Sequence, residues 1–199
     1  MKLAAQWIAI IALLAVYAAA AWAALHPHVS PEYRMYFIDR TTTDYYSEHY
    51  DSTPEEGMIF SRPGLPQWVR STHGFSFREA QGRWTDEDLG SIAGLAFNRS
   101  FSGDLCVDAA MRAIPWAVGD TITLRMENQE KPIQIRSADL TEYPVQLSAL
   151  NQATSLDFVL PPKLPPVMER VHGSNDPRRL GINIASLKLT PGECSPPGR

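Results

Sequence analysis

The sequence predicts a mainly β protein, an antiparallel β-sandwich of jelly-roll-like type behind one N-terminal transmembrane helix. Three observations predict it. The chain opens on an uncharged apolar run, short apolar stretches of alternating parity recur from Met58 onward, and turn residues separate these stretches where amphipathic helices could have stood.

The apolar run extends from Leu3 to Leu25, carries no charge, and has Gln6 as its only strongly polar member. Roughly 20 such residues cross a bilayer core at the helical rise. Trp7 and Trp22 lie near its ends, where amphipathic rings favour the headgroup region. Lys2 precedes the run and favours an N-inside orientation, against which Arg34 and Arg40 lie beyond the other end. A cleaved signal peptide is the competing reading, because Ala21-Trp22-Ala23 has the small-x-small form that a signal peptidase needs. The run exceeds the usual signal-peptide core of about 7–15 residues, so retention as an anchor is expected. Under either reading the rest of the chain is exported.

Residues 26–54 then read as a polar, tyrosine-rich stalk, in which YRMYFI is either a short strand or a helix turn. Residues 55–192 read as the sandwich and 193–199 as a tail. Within the sandwich, Thr121–Glu127 places Ile122, Leu124 and Met126 on one side and Thr123 and Arg125 on the other, the period of a half-buried strand. Ile133 and Ile135, Val145 and Leu147, and Leu156, Phe158 and Leu160 repeat this pattern. Residues 128–132 and 149–153 between them read as loops. The last strand, Gly181–Thr190, changes parity between Ile184 and Leu187, which predicts a β-bulge near Ala185-Ser186. Pro161-Pro162 and Pro165-Pro166 bracket a stiff extended loop.

Composition narrows the function. The net charge is -4, and no basic stripe of the kind nucleic acid requires is visible, so no nucleic-acid partner is expected. Two cysteines, Cys106 and Cys194, are candidates for a disulfide in an exported domain, one in an apolar strand segment and one in the tail. There is no G-x-S-x-G elbow and no H-E-x-x-H motif. His26-x-His28 abuts the expected membrane span and lacks nearby cysteines, and a solvated turn is the commoner role of Asp86-Glu87-Asp88 than a calcium site. Neither a metal nor a cofactor is expected.

Two segments concentrate chemistry. GFSFREAQGRWTDEDLG, at 74–90, gathers Glu79, Arg83 and Trp84, and NDPRRLGI, at 175–182, brings Asp176, Arg178 and Arg179 to the start of the last strand. An indole face stacks on a sugar ring, and carboxylates and guanidinium groups bond hydroxyls or phosphates. These six residues are the candidate ligand-binding set. The bland alternative is that the charges pair with one another and Trp84 plugs the sandwich end.

These same segments, with Phe60-Ser61-Arg62-Pro63-Gly64-Leu65-Pro66, resemble the uncharacterised C-terminal domain of bacterial membrane phosphoglycerol transferases and some multi-pass glycosyltransferases. The resemblance covers roughly Met58 to Thr190. Gly74, Ser76, Glu79, Gly82, Arg83, Trp84, Thr85 and Asp86 fit that family's pattern. Gln81 stands where the family usually has a second tryptophan. The relatives carry the domain behind a catalytic module, whereas here an anchor precedes it.

The resemblance implies a sandwich accessory domain in envelope-glycan assembly and not the transferase activity. The expectation is a non-catalytic domain in the periplasm, held by a single-pass helix in the inner membrane. It would bind an envelope glycan or dock a multi-pass membrane transferase. The rivals are a purely structural partner subunit of a membrane complex and a small glycan-modifying enzyme with Glu79 and Asp86 or Asp176 as its carboxylates.

Overall fold

The computed structural model describes residues 2–25, 49–162 and 164–194, which fall into two compact units divided between Arg34 and Met35. The stalk motif YRMYFI, both arginines beyond the run, and His26 and His28 lie outside the described residues.

The first unit holds α1, Lys2–Leu25, with no acidic residue in its first turn. Its side chains are described at Gln6, Trp7 and residues 10–25, and all of these are exposed. Among the described residues, no helix is long and apolar enough to cross a membrane.

The second unit is an antiparallel β-sandwich. Its strands are β1 (His49–Tyr50), β2 (Met58–Ile59), β3 (Leu65–Pro66), β4 (Val69–His73), β5 (Phe75–Glu79), β6 (Gly82–Asp86) and β7 (Ile92–Ala113). Then follow β8 (Thr121–Met126), β9 (Gln129–Gln134), β10 (Thr141–Val159), the one-turn helix α2 (Val167–Arg170) and β11 (Leu180–Pro191). Two long strands build both layers. The first half of β7 pairs with β4 and with the end of β10, which carries β8 and then β9. The second half of β7 pairs with the start of β10 and with β11, which carries β6 and β5 and also β2.

The segment 149–153 is therefore strand, not the loop its polarity suggests. Register shifts at Ala149/Ala153 and Ala153/Ser155 let β10 bend between layers without breaking. Residues 129–132, also read as loop, form the start of β9, because the turn closes tightly at Glu127, whose φ is +52°. The bulge in β11 lies where parity predicts it, between Ile184 and Ser186. Ile182, Ile184, Leu187 and Leu189 consequently all reach the core. That core also takes Leu95, Val107, Met111, Leu124, Leu156 and Phe158 from β7, β8 and β10.

Residues 49–54 are tied to the domain, since β1 pairs with β3 in parallel and Pro54 O accepts from Leu189 N–H. At the other end Cys106 and Cys194 form a disulfide, with Cα atoms 4.7 Å apart across 88 positions. Gln146 seats the tail beside it, accepting from Cys194 N–H at 2.7 Å and donating to Gly192 O at 3.2 Å.

Candidate functional site

The two predicted segments meet. Segment 74–90 forms the β5–β6 hairpin, and segment 175–182 leads into β11, which pairs directly with β6. The glycines explain part of the motif. Gly74 (φ +71°) and Gly82 (φ +129°) hold conformations that favour glycine, and a Cβ on either would strike the backbone, at Ile92 and Ile184 respectively. Thr85 stitches the strands, since its Oγ1 accepts from Ile182 N–H at 3.0 Å. Asp86 is buried, and one of its oxygens accepts from Asp88 N–H.

Arg83 faces the core, in the row it shares with Ile184 and Met111, and is only 3% exposed. Its guanidinium donates to Ser76 O at 2.9 Å, Phe75 O at 3.3 Å and Thr72 Oγ1 at 3.3 Å. A buried guanidinium is tolerable only when its donors are satisfied, and these bonds lock the hairpin to β4.

Arg178 makes the crossing between the segments. It grips Asp176 through Nε and Nη2, reaches Ser76 Oγ at 2.7 Å and Glu79 Oε1 at 3.3 Å, and lies over the Phe77 ring at 4.4 Å. Burial pushes the Arg178 guanidinium down, but its bonds to Asp176 and the charge of Glu79 outweigh this and raise it. Burial likewise pushes the Asp176 carboxyl up, and the bonds from Arg178 side chain and backbone overcome it and hold it below the ordinary range. Glu79 also accepts from Trp84 Nε1 at 3.2 Å. Arg179 pairs more loosely with Asp88, at 3.5 Å.

Trp84 is half-buried. It packs against Ile114, Val167 and Leu180, with Trp116 beside that cluster, and Arg112 lies 5.8 Å from its ring centre. All six predicted residues thus gather around the hairpin, and most of their polar atoms are engaged within it.

An open site lies beside them on the outward face of the sheet, and sequence reasoning missed it. This cleft, of about 460 Å³, has Ala185 and Ser186 of the β11 bulge in its lining. Ile59 and Ser61 come from β2 and the turn after it, Gln81 from the hairpin turn, Arg112 from β7, and Leu140 from just before β10. Gly82 sets this geometry, because only a residue without Cβ lets the hairpin turn approach Ile184 and Ala185 so closely. Ile59 and Leu140 are 50% and 58% exposed, and the cleft brings these two apolar side chains into one lining. Trp84, Asn183 and Arg112 form a cross-strand row over β6, β11 and β7. The available signal was Arg112 itself, a charge set within an otherwise small and apolar strand segment, AAMRAI.

Comparison with known proteins adds the family. Phosphoglycerol transferase I of Escherichia fergusonii is 23% identical over 138 residues, covering 69% of this chain and 18% of that protein. Phosphoglycerol transferase I of Citrobacter koseri is 22% identical over the same length. The chain thus spans about a fifth of the length of these relatives. Among solved structures, a family 29 carbohydrate-binding module matches 68% of this chain and 87% of its own, at 16% identity and TM-score 0.42. A ruminal GH26 endo-β-1,4-mannanase matches 76% of this chain and 24% of its own, at 10% identity and TM-score 0.37. The model of a family described as a domain of unknown function (DUF7024) matches residues 45–191, and the chain belongs to that family.

Proposed function

We propose that this chain is a non-catalytic accessory domain of envelope-glycan assembly that binds saccharide in the outward cleft. The observation that carries the reading is the cleft's lining. Apolar Ile59 and Leu140 stand with Ser61, Gln81, Ser186 and Arg112, which is the mixture of flat apolar contact and hydroxyl-bonding groups that a sugar face requires. The likeness to phosphoglycerol transferases over 69% of the chain supports the glycan setting and a multi-pass membrane transferase as the working partner.

Within the predicted set, Arg83, Trp84, Asp176 and Arg178 hold the hairpin in place. Glu79 and Arg179, whose side chains are 31% and 45% exposed, lie outside the cleft lining and are proposed to contact only a glycan that extends beyond it. Helix α1 is proposed to anchor the chain in the inner membrane, with the sandwich in the periplasm. The disulfide supports export, because such bonds persist in oxidising compartments.

The test is titration of the full-length chain, in neutral detergent, with glucose and mannose oligosaccharides, beside a Ser186→Trp variant that fills the cleft. Saturable binding that disappears in the variant at unchanged melting temperature is expected. Binding unaffected by Ser186→Trp would remove the cleft as the site. Fractionation with N-terminal sequencing tests the anchor, and a soluble mature chain beginning near Ala24 would refute it.

A further inference from the structure

The cleft has one charged residue in its lining, Arg112, and no carboxylate among the described residues pairs with it. Arg112 is partly buried in the middle of β7, and its Nε is sequestered with no hydrogen-bond acceptor among the described residues. No carboxylate lies within ion-pair reach of it among the described residues. Among the described residues its close electrostatic partner is the face of Trp84, at 5.8 Å. A ring face stabilises a cation weakly beside what a charge-assisted bond supplies. Other cations of the same sandwich are treated differently. Arg125 has Asp157 at 2.8 Å, and Arg178 has both Asp176 and Glu79.

The surroundings of Arg112 favour an incoming anion over an internal one. Neighbouring Ser61, Gln81 and Ser186 are neutral groups that can donate, and none of the lining residues is acidic. Glu142 lies one diagonal away across the β7–β10 ladder, but it is exposed and does not bond Arg112. Asp108 and Lys188 stand opposite one another further along the sheet, where they face each other across the β11–β7 ladder.

We infer that the cleft selects saccharides carrying an oxyanion, a phosphate or carboxylate substituent that Arg112 receives while the ring lies against Ile59 and Leu140. This rests on the cleft being the saccharide site, and it names the class of ligand that site prefers. A guanidinium offers two parallel N–H groups to two oxygens of such a group, so the recognition is geometric as well as electrostatic.

The experiment uses three probes of one chain length on the full-length protein: a neutral glucose oligosaccharide, the same oligosaccharide bearing phosphoglycerol, and one bearing a uronic acid. Wild type is expected to bind at least one anionic probe about ten-fold more tightly than the neutral one. Arg112→Gln is expected to erase that ratio, whatever it costs in affinity for the neutral probe, and Arg112→Lys to keep part of it. A phosphate advantage without a carboxylate advantage identifies the phosphate as the substituent, and the reverse identifies the carboxylate. Equal affinity for all three probes would overturn the inference while leaving the saccharide site intact. Binding to none of them, by a protein with its native circular dichroism and disulfide, would overturn both. If Arg112→Gln does not fold, Arg112→Lys and the loss of the anionic advantage between low and high salt decide the matter.

Discussion

Arg178 and Ser76 stand 102 positions apart in the chain, yet Arg178 Nη1 donates to Ser76 Oγ at 2.7 Å. The same serine accepts from Arg83 Nε through its carbonyl. One small residue in the middle of β5 therefore couples a core arginine to an arginine of the loop before β11. Removing Arg178 strips Asp176 and Glu79 of their cation at once. Arg178→Ala is expected to cost about 2–4 kcal/mol in urea denaturation, between the cost of an exposed pair and that of a fully buried one. Arg179→Ala, which breaks only an exposed pair with Asp88, is expected to cost about 0–1 kcal/mol. Equal losses for the two variants would place the crossing bond outside the stabilising framework.

Asp176 makes that framework sensitive to acid. An unfolded aspartate titrates near 3.9, and the folded one lies lower because its bonds to Arg178 outweigh the effect of burial. Its contribution is complete above about pH 4 and is lost as pH falls through the lowered folded value. Wild type is therefore expected to lose more stability than Asp176→Asn between about pH 4 and 2. Asp108 has the opposite sign, since burial and then Glu142 push its carboxyl up. Asp108→Asn is expected to raise the melting temperature at neutral pH. Thermal melts of the three proteins across pH test both statements.

Trp84 separates framework from platform. Its ring fills space against Ile114, Val167 and Leu180, and its N–H is held by Glu79. Trp84→Ala is expected to cost about 2–4 kcal/mol, somewhat less than truncation of a fully buried tryptophan. An unchanged melting temperature with lost saccharide affinity would instead make it a stacking surface.

Much of this was legible in the sequence, for identifiable reasons. The parity change between Ile184 and Leu187 marked the bulge because both pairs had to reach the core. The hairpin and the β11 start were legible as partners because their charges are complementary and dense. The strand through 149–153 was not legible, because a bulged strand that changes layers loses its period there. Nor was the cleft. Its members come from β2, the hairpin turn, β7, the approach to β10 and β11, and no local pattern connects such distant positions.

The disulfide closes a loop spanning most of the sandwich, from β7 to the tail. Cross-linking a loop of this size restricts the unfolded chain, and removing such a bond from a small domain typically costs about 2–5 kcal/mol. The Cys106→Ser, Cys194→Ser double variant is expected to unfold at correspondingly lower urea concentration with an unchanged cleft. The saccharide titration separates the two effects, because the tail is bound to Gln146 and Asp104 and contributes no residue to the cleft lining.

Gln81 offers the sharpest gain-of-function test. It lines the cleft at the hairpin turn, immediately before Gly82, whose approach to Ile184 and Ala185 fixes where that turn sits. The family that the motif resembles commonly carries a tryptophan near this place, and this chain has an amide. An indole there would present a flat apolar face towards Leu140 and Ile59, adding area for a sugar ring to stack on. The substitution touches no core residue and alters no charge, so stability should change by less than about 0.5 kcal/mol. Gln81→Trp is therefore expected to tighten saccharide binding by about 0.5–1.5 kcal/mol at constant melting temperature. Intrinsic fluorescence should report it directly, since a ring stacked on the new indole alters its emission. A tightened affinity without that spectral change would mean the tryptophan acts away from the ligand. A weaker affinity would mean that the Gln81 amide itself bonds a hydroxyl, and the loss should then be reproduced by Gln81→Ala.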